Sequence, residues 1–98
     1  MHETKLVPGL IVYSKAGRDA GRYYVVCEVL EGGYVLTVDG QKHRMDNKKR
    51  KKCKHLTLTN HTLEGIGEKF SSGKQVFDSE LRKALRPFNN EEGAIDQK

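Results

Sequence analysis

Between residues 9 and 59, apolar and polar positions alternate in short runs separated by turn residues. No helical period competes there, and the pattern predicts a meander of five short strands. Residues 10–14, LIVYS, make the first. Residues 22–30 make the second, rich in Tyr and Val, which suit a half-buried pleated surface. Gly32 and Gly33 turn the chain into residues 34–38, where Leu36 and Val38 share one face and Thr37 takes the other. Asp39 and Gly40 read as a two-residue hairpin turn, so residues 41–45 are expected to pair back on the third strand. Residues 55–59, HLTLT, alternate again, with Leu56 and Leu58 inward. Five short strands joined by tight turns predict a small barrel, because closure removes the exposed edges that an open sheet leaves.

After Asn60 the period becomes helical. Leu63, Ile66 and Phe70 recur at i, i+3 and i+7, although Gly65 and Gly67 each cost about 1 kcal/mol relative to Ala, so this helix needs docking to persist. Gly73 stops it. Asp78 is the expected N-cap of a second helix, whose stripe is Leu81, Ala84, Leu85 and Phe88, and Pro87 is expected to end or kink it. The fold class is therefore mainly β: a small barrel of the SH3-like kind followed by two short C-terminal helices. A chain of 98 residues is one domain by length. It divides into an N-terminal extension (1–8), the barrel (9–59), a helical appendage (60–88) and a polar tail (89–98) expected to be disordered.

Charge changes this picture from architecture to partner. The whole chain carries +5, but residues 42–55 alone hold Lys42, Arg44, Lys48, Lys49, Arg50, Lys51, Lys52 and Lys54 against the single acid Asp46, so the remainder is net acidic. Basicity confined to one segment is the footprint of a surface for a polyanion. The segment follows one predicted strand and precedes another, so it is expected to be a long, solvent-exposed basic loop on the barrel rim. Cys27 and Cys53 are too few for a disulfide framework and show no Cys-x-x-Cys spacing, and MHETKLVPG has no apolar region of the export kind. No stretch approaches the length needed to span a bilayer. A cytoplasmic protein with reduced thiols, and with no membrane association, is the expectation.

The other candidate segment is SKAGRDAGR, residues 14–22, between the first two strands. Gly17 and Gly21 allow a turn through positive φ and leave room for a phosphate or base near the backbone, with Lys15, Arg18 and Arg22 beside the gap. The longer stretch VYSKAGRDAGRYYVVCEV resembles the KOW motif of ribosomal proteins and transcription elongation factors, with Gly17, Arg18, Asp19, Gly21 and Arg22 at the motif positions. Together with VLTVDG and KKRKKCKHL, the chain resembles a group of small bacterial KOW-domain RNA-binding proteins, themselves similar to a large-subunit ribosomal protein of archaea and eukaryotes. Ala20 departs from the pattern, since many KOW motifs carry Lys there. The resemblance implies an SH3-like barrel and RNA, above all ribosomal RNA, as partner, with ribosomal proteins as further neighbours.

Other chemistry finds little support. Cys53, His55 and His61 lack the paired spacing of a zinc site and lie in or near a lysine-rich segment that repels cations. GEKFSSGKQ fails as a phosphate loop because Gly67 is six residues before Gly73 and Gln75 stands where a Ser or Thr belongs. No enzyme, cofactor or small-molecule substrate is expected. Tyr13, Tyr23, Tyr24 and Tyr34 include rings that must face outward, where one stacks on an unpaired base or packs at the rim. The reading is a non-catalytic RNA-binding module using Lys15, Gly17, Arg18, Gly21, Arg22 and the eight cations of residues 42–54. Its rivals are a DNA-binding helix pair reading with Arg82, Lys83 and Arg86, and a protein-interaction adapter in transcription or translation.

Overall fold

The computed structural model describes residues 6–18 and 20–89. Strands β1 (Leu10–Ser14), β2 (Tyr23–Val29), β3 (Tyr34–Val38), β4 (Lys49–Lys52) and β5 (Leu56–Thr62) form one antiparallel sheet in the order β4-β3-β2-β1-β5. A 3-10 turn, Cys53–His55, joins β4 to β5, and helices α1 (Glu64–Ser72) and α2 (Asp78–Asn89) follow. The protein is thus mainly β, a small barrel-like sheet with two C-terminal helices.

Alternation along the strands sorts side chains into two cores. Leu10, Val12, Tyr24, Val26, Val35 and Leu56 fill the concave side of the sheet. Ile11, Val25, Cys27 and Val38, one residue out of phase, meet Val76, Leu81 and Leu85 from the helical segment on the other side. This is why β1 and β2 read as near-continuous apolar runs: both of their faces are covered. Register shifts mark irregularities where residues 58–62 of β5 oppose Leu10 to Val12 of β1, and between Val26 and Glu28 on β2, and such extra residues increase the local bend of a sheet. The helices therefore form a layer on the sheet and complete its second core.

The helices dock by backbone contact as well as by their apolar stripe. A Cβ on Gly67 would lie 2.4 Å from the Pro8 carbonyl oxygen, and one on Gly9 would lie 2.8 Å from the Gly67 Cα. Gly67 thus weakens α1 locally but lets the helix reach the chain just before β1, where the Leu63 N–H also bonds the Gly9 carbonyl at 2.8 Å. Gly65 has open space around it and no such role. At the other helix, a Cβ on Gly40 would sit 2.3 Å from the Asp78 carbonyl oxygen, so α2 rests directly on the loop after β3.

Three expectations need correction. Residues 41–45 form no strand; the lysine run does, as β4, paired with β3 in the register Tyr34↔Lys52 to Thr37↔Lys49. The reason is the buried Asp39 carboxylate, whose Oδ1 accepts the Gln41 and His43 N–H groups at 2.9 Å and winds a wide loop instead of a two-residue hairpin. Second, of the two effects expected of Pro87, the ending of α2 is not what the structure has: Pro87 lies inside the helix, which runs to Asn89. Its last turn is held from outside: Asn89 accepts the Tyr23 N–H at 2.8 Å and donates to the Tyr23 carbonyl, while Phe88 packs on Tyr23 and His61. Third, β5 continues to Thr62, past the expected barrel boundary at 59. The expected tail lies outside the described residues apart from Asn89, as do residues 1–5 of the N-terminal extension.

Candidate nucleic-acid interface

The loop between β1 and β2 is closed by the Gly21 N–H on the Ser14 carbonyl at 2.8 Å and the Ser14 N–H on the Arg22 carbonyl at 2.9 Å. Gly17 and Gly21 have φ of 80° and 93°, and no atom lies within 4 Å of where their Cβ would stand. Glycine is needed there for the backbone conformation rather than to relieve crowding within the chain. The Ala20 and Gly21 amides are already bonded inside the loop, to Gly17 and Ser14, so its charged side chains rather than these amides are what it offers an anion. Lys15 and Arg18 are exposed, whereas Arg22 is half-buried at the foot of β2. Asp19 lies outside the described residues.

The eight cations of residues 42–54 do not form one loop. Lys42 and Arg44 stay on the wide loop under α2, where Arg44 Nε reaches Asp78 Oδ2 at 3.3 Å and the other Asp78 oxygen accepts the Met45 N–H. Lys48 ends that loop, exposed, at the end of β4 away from Tyr34. Along β4 the side chains alternate. Lys51, opposite Val35, is only 8% exposed on the concave side, so it is not the solvent-facing phosphate contact expected from sequence. Lys49 shares that face but is exposed at the strand end. Arg50 and Lys52 point the other way and flank Tyr34, with the Arg50 guanidinium 4.0 Å and the Lys52 ammonium 5.9 Å from its ring centre. Lys54 is exposed on the 3-10 turn.

That turn draws the separate segments together. The Cys53 N–H bonds the Gly33 carbonyl at 2.8 Å, and the His55 carbonyl accepts the Lys15 N–H at 3.0 Å. One three-residue turn therefore touches both the β2–β3 turn and the start of the β1–β2 loop. Lys15, Lys52 and Lys54 are brought to one rim, although Lys15 is nearly forty residues from the other two in the chain.

The helices use several of their charges internally. Arg82 Nη1 donates to the Gly40 carbonyl at 2.8 Å, and Lys69 Nζ donates to Glu80 Oε1 at 3.0 Å. The Lys69 hydrogen bond holds the Glu80 carboxyl below its ordinary pKa of 4.5. Asp78 and Arg82, as anchors of the wide loop, escaped the sequence reading, and so did the pairing of Tyr34 with Arg50. An aromatic residue directly after Gly-Gly is a weak signal, and Arg50 becomes its neighbour only once β4 is recognised as a strand. Among the described residues, no group of three His, Cys, Asp or Glu side chains is placed to hold a metal ion, and no helix is long and apolar enough to cross a membrane. Comparison with protein-family models and with curated proteins found no match to this chain.

Proposed function

We propose that the chain is a non-catalytic RNA-binding protein of the cytoplasm that docks on structured RNA, above all ribosomal RNA, with ribosomal proteins as its neighbours. The observation that carries this reading is the meeting of the two basic segments at the 3-10 turn, with Lys15 bonded to His55 beside Lys54. Among the exposed cations of that rim and of the strand and loop leading into it, Lys15, Arg18, Arg50, Lys52 and Lys54 lie on or next to the segments that meet at the turn. Spread over neighbouring segments, they suit a phosphate backbone, which fixes position without reading bases. The resemblance to KOW proteins supports RNA over DNA. Reading of DNA by α2 has less in its favour, since Leu81 and Leu85 turn one side of that helix into the core and Arg82 is held on Gly40.

Two measurements test the proposal. In a sucrose gradient of cell extract the protein should travel with a ribosomal subunit at low salt. With purified protein and a single-stranded RNA, log affinity should fall against log salt with a slope of about −3.5 if five cations each contribute about −0.7. That is a loss of roughly 100-fold between about 50 and about 200 mM salt. Sedimentation at the top of the gradient, together with RNA affinity too weak to measure at low salt, would overturn the reading.

A further inference from the structure

The rim contains a cleft of about 430 Å3 bounded by Gly32, Gly33, Tyr34, Lys52, Cys53 and Lys54. This size falls among ordinary small-ligand sites, about 300 to 1,000 Å3. Its walls are fixed by the backbone, because the Cys53 N–H is bonded to the Gly33 carbonyl and the Leu30 N–H closes the turn on the Tyr34 carbonyl at 2.8 Å. Gly32 and Gly33, both exposed, put no side chain into it. The Tyr34 ring forms one side and is held from its face by Arg50 at 4.0 Å. Two lysines and no acid complete the lining. Two other grooves differ: one has Glu28 beside Lys48 and Lys74, and another has Glu64 and Glu68. An aromatic ring already paired with a guanidinium, next to two ammonium groups, is a combination that takes a flat base and its phosphate together.

We propose that this cleft is a subsite for one unpaired nucleotide of a bound RNA strand, its base against Tyr34 and its phosphate between Lys52 and Lys54. The inference rests on the proposed RNA binding and adds to it. Phosphate contacts alone do not distinguish paired from unpaired RNA, whereas this cleft selects a base that is free to leave a helix.

The test compares wild type, Tyr34→Leu and Tyr34→Phe on a short oligoadenylate and on an RNA duplex of the same length, with folding followed by thermal melting. Tyr34→Leu should weaken the single strand by about five- to hundredfold and leave the duplex unchanged, while Tyr34→Phe should keep the affinity of the wild type. Cys53 supplies a second readout. It is half-exposed in the cleft, whereas Cys27 is buried and burial pushes its thiol pKa up, so Cys53 should react first with a small thiol reagent. The oligoadenylate should slow that reaction in wild type, and the duplex should not. Wild type binding both RNAs while Tyr34→Leu changes neither affinity would overturn the subsite and leave the proposed function standing. Equal losses on strand and duplex would make Tyr34 a support for Arg50 and overturn it too. Protection of Cys53 by adenosine monophosphate at matched nucleotide concentration would assign the cleft to a free nucleotide instead. Wild type binding no RNA at all would remove the function and the subsite together.

Discussion

Residues 49–55 and residues 82–86 are both basic segments, the first on β4 and the turn after it, the second on α2. On α2 the charge is interleaved with Leu81 and Leu85, which enter the core, and Arg82 is bonded to the Gly40 carbonyl. On β4 only Lys51 is buried, while Arg50, Lys52 and Lys54 stay at the surface around Tyr34 and the 3-10 turn. Local charge density does not separate these segments. What separates Arg82 from the β4 cations is that it is already committed to the chain's own backbone, and a committed guanidinium must give up a hydrogen bond before it can meet a phosphate.

Substitutions sharpen the contrast, and the largest effect belongs to the helix. Leu85→Ala, at a side chain 2% exposed, should lower unfolding free energy by about 2 to 5 kcal/mol in denaturant titration while leaving the RNA affinity of the folded protein unchanged. On the rim the reverse is expected. Changing Arg50, Lys52 and Lys54 together to Gln should flatten the salt slope by about two units and weaken RNA binding across unrelated sequences, with the fold intact. A variant with the slope and affinity of wild type would make the rim a merely solvated surface. Arg82→Ala should cost about 1 kcal/mol of stability through the loop after β3 and leave nucleic-acid affinity unaltered; loss of sequence-specific DNA binding would reverse the roles of the two regions. The smallest effect is that of pH. Glu80 has a lowered pKa in the folded state, so its bond to Lys69 stabilises the protein above the ordinary carboxyl range and fades as pH falls through the folded value. The stability difference between wild type and Glu80→Gln should therefore be present at neutral pH and shrink as the pH is taken below about 4.

The strands that became legible were those whose side chains face a core. β1 and β3 stand where alternation and turn residues put them, and β2 differs by one residue at each end. β4 was hidden because Lys and Arg are weak strand formers and only one of its four residues is buried, so the segment looks the same in sequence as a solvated loop. A cation-rich strand is, however, what a sheet places at its edge. The wide loop departs from the expected hairpin for a different reason: Asp39 and Gly40 do suit a tight turn, but the Asp39 side chain captures amides two and four residues on, and α2 then packs against Gly40. For the candidate site, the basic run and the glycine loop pointed to Lys15, Arg18, Lys52 and Lys54 among thirteen residues. Their meeting could not be read, because it depends on hydrogen bonds of the 3-10 turn to segments about twenty and forty residues away.

The pairing of β1 with β5 also governs the order of events as the chain is made. Leu10 faces Thr62, so the first strand synthesised keeps one open edge, with Leu10 and Val12 uncovered on the concave side, until the last barrel strand has emerged. Such non-local closure is slow compared with hairpin pairing and leaves the unfinished sheet open to foreign strands. The lysines of β4 emerge just before β5. On a growing chain they sit at the opposite edge of the same half-built sheet, an edge that β4 keeps in the finished fold, and their mutual repulsion discourages a second copy from pairing there.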